Sequence, residues 1–150
     1  MTPKTTQTAQ GALALDKAAL QAFLNGDFGP LGRDFRVDRA EADGLTLRLL
    51  ADEKYLRPGN TVSGPALFGL ADVAVYLAIL SRIGMVPLTV TTNCSMDFMR
   101  KPQAGRDILA HTRVLKLGRS LAVGDALLFV DGDAAPVARA SLTYAIPKSP

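Results

Sequence analysis

Residues 64–83 read GPALFGLADVAVYLAILSRI, and this run decides the architecture. Pro65 stands at a first-turn helical position, where its fixed φ suits a helix and its missing N–H would be unpaired anyway. From residue 66 to residue 83 the chain is apolar nearly all round, with Leu67, Phe68, Leu70, Val73, Val75 and Leu80 spread over every side, and Gly84 closes it. The pattern predicts a long helix buried on all sides, with a single acidic residue, Asp72, midway along it. Such a helix needs a sheet around it.

Both flanks supply strands. Upstream, residues 13–24 have loose helical spacing ended by Asn25-Gly26, and residues 28–32 read as a loop. Residues 35–39 read as a short strand, and Asp43-Gly44 turns the chain into Leu45, Leu47 and Leu49. Residues 55–63 are expected to be a loop turning at Pro58-Gly59. Downstream only strand signals remain. Residues 88–99 alternate, with Val90, Cys94, Met96 and Phe98 on one face and Thr89, Thr91, Asn93, Ser95 and Asp97 on the other. After a turn at residues 102–105, the strands 108–117 and 121–130 meet at Gly118-Arg119. Asp131-Gly132-Asp133 then leads into residues 137–146. The order implies an α+β fold in which a long central helix is wrapped by one curved antiparallel β-sheet. One sheet leaves a face of the helix open. A second copy of the chain covers it most simply, so a homo-oligomer is expected.

Composition narrows the function classes. The chain has 150 residues, 48% hydrophobic but only 6% aromatic, which suits one domain with an aliphatic core. Residues 12–150 are expected to form it, after a polar, disordered tail over residues 1–11 that lacks the pattern of a signal peptide. A single cysteine, Cys94, excludes an internal disulfide and a multi-thiolate zinc site. The net charge of +3 is scattered, with Arg100-Lys101 the one adjacent basic pair, so no nucleic-acid partner is expected. The stretch 58–81, whose one charged residue is Asp72, also carries Asn60 and Pro65 and makes a poor membrane span; a cytoplasmic protein is expected.

Asp72 is the first candidate for chemistry, as general base or nucleophile, because a carboxylate in an apolar helix is tolerated where it does work. The helix start at Gly64 offers unpaired N–H groups and partial positive charge, which suit a carbonyl oxygen. Eight residues separate the two, roughly 12 Å along a helix axis, so a single carbonyl would meet Gly64 of one subunit and Asp72 of another. His111, the only histidine, reads as a strand-surface residue, Cys94 as buried and inert, and Asp97 as solvated. No metal-ligand spacing or Gly-x-Ser-x-Gly elbow is present in the sequence.

The segment Thr61-Val62-Ser63-Gly64-Pro65-Ala66-Leu67-Phe68-Gly69-Leu70-Ala71-Asp72 resembles the helix-start signature of the PaaI-like hotdog-fold acyl-CoA thioesterases: His-Gly-Gly, six residues, then Asp or Glu. The run from Arg113 to Ala122 is similar to the family as well, as is the connection 99–108, and the element order matches over residues 35–146. The resemblance implies a hotdog fold, a dimer or tetramer of such domains, and hydrolysis of acyl-CoA without a cofactor. It implies that Asp72 is the catalytic carboxylate and that the Gly64 N–H polarises the thioester carbonyl. Thr91 or Thr92 would supply a hydroxyl that holds the attacking water. Gly118, Arg119 and Ser120 would contact pantetheine and phosphates, although the same turn is also an ordinary hairpin. Three positions depart from the family. Ser63 replaces its histidine, Pro65 its second glycine, and Arg57 a catalytic asparagine; Asn60, three residues out of register, is the candidate for that catalytic place if the loop is rebuilt, and Ser63, Arg57 and Thr92 are expected to contact substrate. The expected function is an acyl-CoA thioesterase; the alternative is an acyl-CoA-binding protein that does not turn over.

Overall fold

The computed structural model describes residues 12–148, so the predicted tail over residues 1–11 lies outside the described residues. Helix α1 is Lys17–Asn25, strand β1 is Phe35–Glu41 and β2 is Gly44–Leu49. Two-residue strands β3 (Leu56–Arg57) and β4 (Thr61–Val62) precede α2, which spans Gly64–Ile83. Then come β5 (Val90–Phe98), β6 (Ile108–Leu117), β7 (Leu121–Val130) and β8 (Ala138–Ala145). The long strands form one antiparallel sheet in the order β1-β2-β6-β7-β8-β5, and α2 lies across it. This is the helix wrapped by a sheet that the apolar run demanded, the hotdog arrangement.

The sheet side of α2 is apolar. Leu70, Ala74, Leu77 and Leu80 are fully buried against Leu47, Ala110, Leu128 and Leu142. Helix and sheet approach closely at Gly124, where an added Cβ would lie 2.7 Å from Val75 Cγ1 and 2.9 Å from the Arg113 carbonyl oxygen. Only glycine fits there. By length and composition α2 could cross a membrane, with a mean hydropathy of 1.8 over its central window, but most of that window is buried in the core. Hydropathy here marks the core helix.

The structure corrects several expectations. The helix is not buried on all sides: Pro65, Phe68, Gly69, Asp72, Val73 and Tyr76 form a stripe at helical spacing that the sheet does not cover. Helix α1 begins at Lys17 rather than near Leu13, because Asp16 accepts the Ala19 N–H as its N-cap while the Ala14 and Leu15 N–H groups reach back to the Ser81 carbonyl. The predicted loop 28–32 runs into a 3₁₀ turn at Pro30–Asp34. The predicted loop 55–63 carries the β3–β4 ladder, with Pro58 and Gly59 at its turn as expected.

The largest correction concerns β5. Its register against β8 slips between Thr91 and Asn93, so Thr91 pairs with Tyr144 and Cys94 with Leu142. Leu142 and Tyr144 point into the core. The extra residue, Thr92, shifts the alternation, and Thr91 joins Cys94 and Met96 on the helix-facing side while Val90 leaves it. Strict alternation had placed Thr91 on the opposite face.

Candidate active site

Asp72 emerges on the uncovered stripe of α2, facing the junction of β5 and β8. Thr91 Oγ1 donates to its Oδ1 at 2.6 Å, and the Tyr144 hydroxyl donates to the same oxygen at 2.5 Å. The Tyr144 oxygen also lies 2.5 Å from the Asp72 main-chain carbonyl. Thr91 and Tyr144 are a directly opposed cross-strand pair, so the bulge at Thr92 makes this convergence possible. Among the described residues no group donates to Oδ2, and Asp72 enters no ion pair. The lone buried carboxylate expected from sequence is therefore a half-buried one, held by two neutral hydroxyls.

A cleft of about 240 Å³ opens beside it, lined by Phe28, Val73, Tyr76, Thr89 and Val90 together with Asp72, Thr91 and Tyr144. Burial first, and then the negative charge of Asp72, drive the Tyr144 phenol far above its usual range, so it stays a proton donor. The same two causes, in the same order, raise the thiol of half-buried Cys94 and keep it protonated. Burial also raises Tyr76, whose ring lies 6.3 Å from that of Tyr144.

The start of α2 presents one donor. Ser63 is the N-cap: its Oγ accepts the Ala66 N–H at 3.2 Å and its carbonyl accepts the Leu67 N–H. Pro65 has no N–H. That leaves the Gly64 N–H without an acceptor among the described residues. The Phe98 ring flanks this point, 3.7 Å from where a Gly64 Cβ would sit. Where the resembled family has a histidine, this chain has a helix cap.

The remaining candidates divide. Thr92 donates to the Thr143 carbonyl at 3.3 Å and does not touch Asp72, so of the two threonines it is Thr91 that meets the carboxylate. Arg57 is exposed at the end of β3. Asn60, at a left-handed φ of 63°, lines a separate cavity of about 310 Å³ with Tyr55, Val62 and Ile108, away from Asp72. Gly118, Arg119 and Ser120 make the β6–β7 hairpin, closed by the Gly118 N–H on the Leu121 carbonyl. Leu117 and Ala122 flank that hairpin, and Ala122 pairs with Tyr144, so the turn lies at the Asp72 end of the sheet. His111 is a surface residue, as expected. Its Nδ1 lies 2.9 Å from Thr46 Oγ1, and burial and Arg39 lower its pKa, keeping it neutral. Asp97 pairs with Arg139 on the exposed sheet face. Tyr144 was missed; its signal was an inward tyrosine beside Leu142 and Ala140, whose hydroxyl must find a partner.

A family model described as the thioesterase superfamily matches residues 59–137, the part of the chain that holds Gly64, Asp72, Thr91 and the β6–β7 hairpin. The chain belongs to this superfamily. A crystal structure from Silicibacter sp., provisionally named a thioesterase, is 52% identical with a TM-score of 0.84, covering 91% of this chain and 94% of that one. The E. coli PaaI protein, from the phenylacetic acid degradation operon, superposes with a TM-score of 0.68 at 22% identity, over 77% of this chain and 80% of that one. This likeness supports the hotdog fold. A Pseudomonas aeruginosa protein provisionally named an esterase is 38% identical over 85 residues, covering 56% of this chain and 63% of its own length. The superfamily match and the PaaI-type architecture agree with the resemblance drawn from the segment at residues 61–72.

Proposed function

We propose that the protein hydrolyses an acyl-CoA thioester to a carboxylic acid and free CoA, at a site shared between two copies of the chain. The observation that carries this reading is the state of Asp72: both hydroxyls hold Oδ1, while Oδ2 is left without a donor beside an open cleft. Acting as base, Oδ2 takes a proton from water as the water oxygen bonds to the carbonyl carbon. The carbonyl electrons move onto an oxygen that accepts the Gly64 N–H. The C–S bond then breaks, and the departing thiolate receives the proton held on Asp72. Direct attack by Oδ2, with an anhydride hydrolysed afterwards, is the other route open to the same geometry. Neither route calls for a metal or redox cofactor.

Two features support a shared site. The sheet has two outer strands, and the start of one is covered. Along β1 the Gln21 side chain accepts the Val37 N–H at 2.7 Å and donates to the Phe35 carbonyl. Strand β5 is the other outer strand, with Leu88, Val90, Phe98 and Met99 exposed along it and its flanks. Antiparallel pairing of two β5 strands about a two-fold axis near Cys94 or Ser95 sets the Thr91 end of one copy against the Phe98 end of the other. Asp72 of one copy then approaches Gly64 of its partner. In this reading Gly118, Arg119 and Ser120 meet the phosphates and pantetheine, with Ser63, Arg57, Asn60 and Thr92 at the borders, in a cytoplasmic dimer or tetramer.

The test is hydrolysis of a panel of acyl-CoAs by the parent protein and by Asp72→Asn; equal rates remove Asp72 from the mechanism. Gly64→Pro deletes the N–H at a first-turn position, and Gly64→Ala keeps it with the same Cβ, so the ratio of the two reads the donor itself. A ratio of about 10² to 10³ is expected. Mixing Gly64→Pro with Asp72→Asn copies rebuilds one intact site per hybrid dimer and recovers about a quarter of the parent activity if the site is shared. No recovery places both groups within one chain. A second reading, tight acyl-CoA binding without turnover, is favoured by Ser63 serving as a cap and by exposed Arg57. Binding measured by calorimetry with no hydrolysis by the parent selects it.

A further inference from the structure

Tyr144 is nearly inaccessible, at 1% exposure, yet its one polar atom ends on the one acidic group of α2. A buried tyrosine can satisfy its hydroxyl on any nearby carbonyl. Here it reaches a main-chain oxygen and the Oδ1 of the same residue, both at 2.5 Å, which folds the Asp72 side chain back over its own helix turn. The opposed Thr91 hydroxyl approaches that same Oδ1 from β5, so two neutral donors fix one oxygen and, among the described residues, none reaches the other. The Tyr144 ring is itself immobilised against Tyr76, one helical turn beyond Asp72, and the aromatic row continues to Phe28 and Phe23.

We propose that Tyr144 is a positioning residue for the reaction: with Thr91 it locks Asp72 Oδ1, sets the carboxylate plane, and leaves Oδ2 as the oxygen that reacts. This rests on the thioesterase reading only for the identity of the reaction. The asymmetry of the two oxygens stands on the geometry alone. Two hydroxyls suit the task where a cation would not, because an ammonium or guanidinium would pull charge from the whole carboxylate and weaken it as a base. The phenol donates throughout the working range, since burial and the Asp72 charge keep it protonated. Among the described residues the titratable groups around Asp72 are Tyr144 on β8, Cys94 on β5 and Tyr76 on α2 itself; the loops contribute Phe28 and Thr89, neither of which titrates. Each of the three is neutral while protonated, so removing one donor changes hydrogen bonding at Asp72 without changing charge.

Tyr144→Phe keeps the ring and removes the donor. In 13C-aspartate-labelled protein, the Asp72 carboxylate stretch is isolated by subtracting the infrared spectrum of Asp72→Asn. It is expected to shift in Tyr144→Phe and to shift further when Thr91→Val is added. That measurement needs folded protein and no turnover. With acyl-CoA as substrate, kcat should fall about ten- to a hundredfold, the worth of one hydrogen bond to a charged group, with KM held within about twofold. An unmoved carboxylate band and an unchanged kcat, with only a lower melting temperature, would overturn the proposal and leave Tyr144 a packing residue. A shifted band in a protein that hydrolyses no acyl-CoA would sink the thioesterase reading while supporting the placement of Tyr144.

Discussion

Asp72, on helix α2, and the aspartates around Arg48 are anchored to opposite faces of one sheet by opposite means. On the face turned away from α2, the Arg48 guanidinium contacts Asp38 on β1 at 2.9 Å, Asp107 before β6 at 3.0 Å and Asp131 after β7 at 2.7 Å. These hydrogen bonds, Asp38 foremost, raise the Arg48 pKa far beyond any working pH, so the cation is permanent. One charge thereby ties four strand segments, and every carboxylate in the knot is directed at a partner. Among the described residues no cation pairs with Asp72; two hydroxyls grip one of its oxygens and none donates to the second. An ion pair neutralises a carboxylate and fixes structure, whereas neutral donors orient it and leave it basic.

The sharpest way to break this contrast is the same chemical change in both places. Asp72→Asn should lower turnover by about a thousandfold, within the range for loss of a general base, and leave the unfolding midpoint near that of the parent. Asp107→Asn should do the reverse. Turnover of folded protein should persist, while weakening the pair with Arg48 costs about 1 kcal/mol in urea unfolding. If Asp107→Asn lowered turnover as much as Asp72→Asn, the two regions would not be functionally distinct. Arg48→Met is the stronger test on the structural side. It leaves three aspartates facing one another, and because all four side chains keep some solvent contact we expect a loss of about 2–3 kcal/mol rather than the larger penalty of a fully buried pair.

The two regions also differ in how far they could be read from the sequence. Helix α2 was legible because apolarity over five turns, a proline at the start and a glycine past the end are local signals. Asp72 was legible because it is the one acidic residue in that run, and the β6–β7 hairpin because two long strand-forming runs meet at Gly118-Arg119. The company Asp72 keeps was not. Thr91 lands on the correct face only through the extra residue at Thr92, and a bulge leaves no trace in an alternation pattern. Tyr144 reaches Asp72 across 72 positions of sequence, through a strand pairing that no local rule reveals. The Arg48 knot gathers residues 38, 48, 107 and 131 from four separate segments and was invisible for the same reason. Ser63 shows the converse: at the position where the resembled family has a histidine, this chain holds a helix cap, and the local signal for it, a serine directly before Gly64-Pro65, is in the sequence.

A third aspartate sits between the two extremes and sharpens the comparison with the smallest expected effect. Asp34 accepts the Tyr55 hydroxyl at 2.5 Å, as Asp72 accepts Tyr144, and also pairs with the Lys54 ammonium at 2.8 Å, as the Arg48 aspartates pair with their cation. Partial burial pushes its carboxyl up, but the bonds from Lys54 and Tyr55 outweigh that and hold it below its ordinary value. A depressed folded pKa means that Asp34 stabilises the fold fully above the unfolded value of about 4 and loses that contribution as pH falls through the lower folded value. Asp34→Asn should therefore cost about 1 kcal/mol at neutral pH, and the parent and variant unfolding curves should converge in acid. The Tyr55 carbonyl accepts the Ser63 N–H at the entrance to α2, so the same variant also asks whether this anchor sets the position of Gly64. Tyr55→Phe removes the hydroxyl alone. If its stability stays above that of Asp34→Asn at pH 7 and the two meet below about pH 4, the cation supplies the acid-sensitive part and the hydroxyl only the orientation, as the division between Arg48 and Tyr144 requires.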